Sequence, residues 1–239
     1  MPYRIALQFA VRGDLRFLSH QDSMKFFERA AVRAGLPLRF SAGFNPHARL
    51  SLPLPRPVGV ASDDDLLVLD LGDETANAPA DLSPESVIGR LAAQMPASDC
   101  VVLRAARKIG KVPQARLVHY GVALAGLPAA DQAALPSRIA ALLSAEACVV
   151  HRRIDAEGTY RPTDIRPYVR DVQWDAPSAR LAWTLAVTPG GTARPGELLA
   201  ALEIDPAPWI HRVVRERIEW DENDNPNGIS QPAPVEAQS

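Results

Sequence analysis

Cysteine is scarce in this chain: two in 239 residues, Cys100 and Cys148. Neither belongs to a CxxC pair or to a Cys/His spacing that could hold zinc or an iron–sulfur cluster, so no metal site and no bound cofactor is expected. Both precede a Val-Val pair, which reads as buried thiols in strands. Lysine is scarcer still relative to its partner: of 26 basic residues only Lys25, Lys108 and Lys111 are Lys. That bias matches a GC-rich coding sequence, and it also suits planar contacts to phosphate. No apolar run approaches the ~20 residues of a membrane-spanning helix. The start, "MPYRIALQF", lacks the charged and apolar regions of a signal peptide. No membrane partner is expected, and the cytoplasm is the expected location. Nucleotide and nucleophile motifs are also missing: there is no Walker loop, GxGxxG, HExxH or GxSxG.

What is present is a soluble-protein composition, 47% hydrophobic and 23% charged, long enough for one large or two small cores. "YRIALQFAVRG" alternates and ends on Gly13, the pattern of a strand. "SHQDSMKFFERAAVRAG" is a helix, with Ser19 as cap, Asp22 three residues on, a stripe of Met24, Phe27, Ala31 and Ala34, and Gly35 as its stop. "LPLRFS" reads as a short strand, "ARLSLPLPRPVGV" as extended and "SDDDLLVLDLG" as a strand. "SPESVIGRLAAQM" is a helix with Ser83 as cap and Pro84 at its first turn. "CVVLRAARKIG" is a strand. The order recurs through "ARLVHYGVALAG", the helix "AADQAALPSRIAALLSAE" kinked or delayed by Pro136, the strands "CVVHRRI" and "ARLAWTLAVT", the helix "RPGELLAALE" and "WIHRVVRERIEW". The expectation is an α+β protein of two tandem ferredoxin-like (βαββαβ) halves with antiparallel sheets, at 1–112 and 113–220. A polar tail without apolar periodicity, 221–239, is expected to be disordered.

Charge is unevenly spread. Residues 1–60 hold nine basic against three acidic side chains, a net of +6, while 221–239 hold four acids and no base. Lys25, Arg29 and Arg33 fall at i, i+4 and i+8 and so share one helix face. A basic face suits a phosphate-bearing partner such as RNA, and it is also what any solvated helix shows.

Two short segments concentrate polar chemistry. "RFLSHQD" supplies Arg16, Ser19, His20 and Asp22; "GFNPHAR" supplies Asn45, His47 and Arg49. Imidazoles titrate near neutrality, so His20 and His47 are the candidate acid and base of a metal-independent endoribonuclease. Asn45 and Arg49 could hold a phosphate or amide. Each group also has a plain role: Ser19 and Asp22 as caps, Gly43 and Asn45-Pro46 as turn formers.

The stretch Arg16–Asp65 resembles the radical-SAM-associated family known as domain of unknown function 2344. Arg16, Phe17, Ser19, His20, Asp22, Arg29, Ala30, Arg33, Ala34, Leu36, Pro37, Ser41, Gly43, Phe44, Asn45, Pro46, His47, Gly59 and Ser62 fall on the family pattern. "DIRPYVRDV" and "RPGELLAALEI" look like its C-terminal half. Gln21, Phe40 and Ala48 depart from it, and none of these removes a polar motif group. The resemblance implies a stand-alone accessory protein working with a separate radical-SAM enzyme, since the CxxxCxxC motif of that enzyme is absent here. Three roles remain open for the polar segments: presenting RNA or another phosphate-bearing ligand, catalysing its cleavage, or bracing the loop in a structural partner.

Overall fold

The computed structural model describes residues 3–72, 81–96, 100–154 and 157–221. Apart from Asp221, the expected tail lies outside the described residues. The described residues form a mixed α+β structure with four α-helices and a mostly antiparallel sheet.

The first strand, β1 (Tyr3–Val11), is central and buried on both sides. Ile5, Leu7, Phe9 and Val11 enter one cluster, and Ala6 enters another with Leu66, Val68 and Ile109. Helix α1 (His20–Arg33) starts where Ser19 Oγ accepts the Asp22 backbone N–H at 3.1 Å. It buries Phe27, Ala30 and Ala31, with Phe27 edge-on to Phe9 at 4.7 Å. Gly35, at φ +63°, takes the left-handed position that ends the helix. Arg90 then covers the open carbonyls, donating to Ala34 O at 3.1 Å and Gly35 O at 2.7 Å.

Strand β2 (Leu50–Ser51) pairs with β3 (Ala61–Leu71), and β3 pairs along its other edge with β1. Helix α2 (Pro84–Ala92), capped by Ser83, leads to β4 (Val101–Ile109) on the outer edge of β1. The expected strand "LPLRFS" contributes only isolated bridges, Leu38 to Leu71 and Phe40 to Ala48. At Asp70 the ladder passes to the far side of the loop, because Arg39 N–H donates to Asp70 O and Asp70 N–H donates to Arg49 O, both at 2.9 Å.

The second half begins with β5 (Ala115–Ala123) and α3 (Ala129–Ser144). This helix runs through Pro136, held by the burial of Leu135, Ile139 and Leu142. Then come a small hairpin, β6 (Val149–Arg153) with β7 (Tyr160–Asp164), the strands β8 (Val169–Asp175) and β9 (Arg180–Ala186), α4 (Pro195–Ala201) and β10 (Val214–Trp220). The strand path is β4-β1-β3-β10-β5-β9-β8, with β2 also on β3. A short parallel contact, Val214 and Arg215 beside Ala61 and Ser62, joins the halves into one eight-stranded sheet.

Two expectations need correction. "CVVHRRI" is a strand but not one of the main sheet: it forms the separate β6–β7 hairpin, and β8, from the "DIRPYVRDV" stretch, lies beside β9 instead. The reason is patterning. His151, Arg152 and Arg153 cannot fill a buried strand, whereas Val169 and Val172 can. The cysteines are half-buried free thiols placed just before β4 and β6, not buried within strands.

Candidate functional site

The polar groups predicted around α1 separate into three places. The first is the start of the helix. Ser19 Oγ donates to Asp22 Oδ2 at 2.6 Å while accepting the Asp22 N–H, so these two residues close on each other as a cap. His20 follows as the first helical residue, exposed at the rim of a cavity that Ser23, Arg56 and Asp65 also line. The remaining walls are apolar, among them Phe9, Val11, Phe27 and Leu66. The cavity is about 20 Å³, room for one ordered water and far too small for a nucleotide.

The second place is the loop "SAGFNPHARLS". Ser41 N–H donates to His47 O at 2.8 Å, and His47 N–H donates to Ser41 Oγ at 3.0 Å. This pair pinches the loop shut. The residues between them, including Gly43 at φ +136°, turn outward, with Phe44 fully exposed at the tip and Asn45 and His47 exposed beside it. The stem is anchored: Ala48, Leu50 and Leu52 pack in the same cluster as Phe27, Ala30 and Ala31 of α1. His20 lines the cavity and His47 does not; the loop leaves the sheet at the level of Asp70, five residues along β3 from the Asp65 of the cavity.

The third place is the outward face of α1. Lys25, Arg29 and Arg33 are all exposed there, and among the described residues none forms an ion pair; Arg33 Nη2 donates to Gln94 O at 3.2 Å. Arg16 lies over the Phe17 ring at 4.8 Å.

Part of the +6 charge of the first 60 residues is paired with acids outside that window. Arg4 pairs with Asp70, Arg12 with Asp63 and Arg56 with Asp65. Those acids lie just beyond residue 60, so a window ending there counted the bases without their partners. Arg16, Lys25, Arg29, Arg33, Arg39 and Arg49 are the six left without an ion pair among the described residues, and they include every basic ligand candidate named from the sequence.

A buried cluster was missed by sequence reasoning. Asp65 and Arg215 are 6% and 1% exposed, and they pair across the β3–β10 junction. Arg215 also donates to Leu54 O at 3.3 Å and Pro55 O at 3.4 Å, and Ser62 Oγ donates to Asp65. Arg56, from the Pro-rich segment, lies 3.5 Å from the other carboxylate oxygen and donates to Arg16 O and Val60 O at 2.8 and 2.7 Å. Two guanidinium groups thus share one carboxylate. Burial lowers both; for Arg56 the lowering stands, reinforced by Arg215, while Asp65 and Tyr120 carry Arg215 above its ordinary value. Both stay charged at any physiological pH. The neighbouring Tyr120 hydroxyl is raised by burial and by Asp65, against the pull of Arg215.

The signal for this cluster was "ASDDDLLVLDL". Aspartate is depleted in strands, so three in a row at the start of an apolar strand need partners. Asp63 takes Arg12 and Arg104; Asp64 accepts Gln8 Nε2 at 2.6 Å and the Ile218 N–H at 2.7 Å; Asp65 takes the two buried arginines. Among the described residues no three His, Cys, Asp or Glu side chains converge as a metal site would require, and no helix is long and apolar enough to cross a membrane.

The chain is therefore an α+β protein with an anchored, solvent-facing aromatic loop and a basic helix face. A family model described as an uncharacterized protein conserved in bacteria (DUF2344) matches residues 4–195, from β1 to the start of α4, and the chain belongs to that family. No curated protein matches it.

Proposed function

We propose that this protein is a binding module for single-stranded RNA that acts beside a separate radical-SAM enzyme. One observation carries the RNA half of this reading. The loop holds Phe44 fully exposed, with Asn45, His47 and Arg49 exposed around it, on a stem packed beneath a helix whose outer face is basic. An exposed aromatic ring among cations is what unpaired bases and their phosphates require: the ring stacks a base and the cations neutralise the backbone. A fully exposed Phe that only braced its loop would gain nothing from its apolar surface. The radical-SAM partner rests on the resemblance of the Arg16–Asp65 motifs, and it accounts for a chain without cluster-binding cysteines.

The strand order supports a finer reading of the fold, two ferredoxin-like halves. In the first half β1-α1-β2 leaves a gap that β3 fills, and β3-α2-β4 leaves a gap that β1 fills. The second half repeats this with β5, β8, β9 and β10, the β6–β7 hairpin being an insertion.

The test is fluorescence anisotropy of the purified chain with a labelled, unstructured 20-nucleotide RNA. Binding at low salt that weakens steeply as salt is added is expected. No binding at low salt would end the RNA reading. The radical-SAM partner is tested separately, by affinity capture from native cells with identification of the captured proteins.

A further inference from the structure

In the motif "RFLSHQD" Ser19 and Asp22 close the helix cap, and Arg16 and Phe17 take no part in it. These two end a short 3-10 turn, Gly13–Phe17, that leads into α1. Its residues divide by side. Leu15 and the following Leu18 line the cavity, whereas Phe17 between them is 51% exposed. The turn is firmly mounted. Arg16 O accepts the Gly59 N–H at 2.9 Å and Arg56 Nη1 at 2.8 Å, and Leu15 O accepts Arg56 Nη2 at 3.4 Å. Arg56 is itself paired with the buried Asp65 at 3.5 Å, so the turn is fastened to the buried ion cluster.

The Phe17 ring is only partly covered. The Arg16 guanidinium lies over one face, 4.8 Å from the ring centre. Gly59 sits at one edge, where a Cβ would stand 3.7 Å from Cε1. With one face under a cation, one edge against Gly59 and half of its surface still open, the ring presents its other face to water. Arg16 is half-buried, and its Nε is buried without a hydrogen-bond partner. Among the described residues Arg16 has no ion pair; Asp14, the acid of the same turn, is exposed and pairs with no cation there either. A partly desolvated cation beside an open aromatic face suits an anion that also carries a flat ring.

We infer that Arg16 and Phe17 form a second base-stacking contact for single-stranded RNA, in which the open face of Phe17 stacks on a base and Arg16 meets a neighbouring phosphate. The choice of occupant follows from charge and shape. Single-stranded RNA carries unstacked rings and phosphates side by side, and aromatic rings with arginine are the groups that receive them. A protein partner that buried Phe17 would have to bring a carboxylate to Arg16 as well, or leave that cation desolvated. The inference rests on the RNA reading above but on different residues, outside the Ser41–Ser51 loop and the basic face of α1.

The experiment uses the full chain and the same labelled 20-nucleotide RNA. Phe17→Ala should weaken binding about tenfold, the loss of one stacked base, without changing the salt slope. Phe17→Leu keeps an apolar side chain against Gly59 but has no ring, so it should weaken binding in the same way while holding the thermal midpoint. Phe17→Tyr restores the ring and should recover the affinity. Arg16→Gln should reduce the slope of log K against log salt by about 0.7, one phosphate contact on a single strand. Phe44→Ala separates this contact from the loop. If Phe44→Ala weakens binding while Phe17→Leu binds like the parent, the inference falls and the loop reading stands. If Phe17→Leu weakens binding and Phe44→Ala does not, the inference stands and the loop reading falls. A parent chain that binds no RNA at low salt overturns both. If the Phe17 variants keep RNA but lose a captured protein partner, the ring is a protein-docking contact and the inference is overturned.

Discussion

Ser19 and Phe44 show how differently two residues of one motif can work. Ser19 is spent on structure: it caps α1 and closes on Asp22. Ser19→Ala should lower stability by about 1 kcal/mol, as cap removals do, measured by chemical denaturation, and leave the salt dependence of RNA binding unchanged. Phe44 makes the opposite case. It is fully exposed, so Phe44→Ala should not move the melting temperature, yet it should weaken RNA binding about tenfold through loss of one stacked base. A Phe44→Ala protein that bound RNA like the parent would show that the ring does not stack. His20 and His47 belong to this scale too. His20 sits at a cavity rim and His47 on an exposed loop pinned by Ser41, so neither imidazole needs the other to explain its position.

At the scale of the element, α1 divides cleanly between an inner and an outer face. Phe27, Ala30 and Ala31 hold it to the sheet, and Lys25, Arg29 and Arg33 face water. Replacing Lys25 and Arg29 by Gln should leave the fold intact and reduce the salt slope of RNA binding by about 1.4, two phosphate contacts at about 0.7 each. Titrations at several ionic strengths read this directly; an unchanged slope would remove the helix face from the interface. Strand β3 is the second informative element. Its Asp65 is, among the described residues, the one carboxylate paired with both buried guanidinium groups, so Asp65→Asn removes the counter-charge they share. The expected cost is about 3–5 kcal/mol, read as a drop in the denaturation midpoint. A mild effect, below about 1 kcal/mol and typical of exposed pairs, would mean that water reaches the cluster.

The whole molecule is held together at the same place. The halves meet through the short β3–β10 contact, and the Asp65–Arg215 pair lies across it, with Tyr120 of β5 beside it. This links pH to the stability of the entire sheet. The Tyr120 hydroxyl is raised in the fold by burial, so the folded state favours its neutral form. In the unfolded chain it ionises near its ordinary value, about 10. Its contribution is therefore complete below that pH and is lost as the pH rises beyond it towards the folded value. Denaturation midpoints should fall above about pH 10, and Tyr120→Phe should flatten that fall. An identical alkaline limb in the variant would assign the loss to other groups.

The amino-acid sequence by itself determined most local structure: the Ser19 and Ser83 caps, the Gly35 stop, the two cores' apolar patterns and the polar content of the Ser41–Ser51 loop. These follow from short-range rules of capping, periodicity and backbone sterics, which act within a few residues. Tertiary structure decided what depends on contacts distant along the chain. It neutralised Arg4, Arg12 and Arg56 with acids beyond residue 60, and it assigned the place beside β9 to β8 while setting the β6–β7 strands apart. It also brought Arg215 to Asp65 from 150 residues away, a pairing that no local pattern encodes. A buried charge finds its partner only when the sheet closes, because only then does the loss of water make the partner necessary.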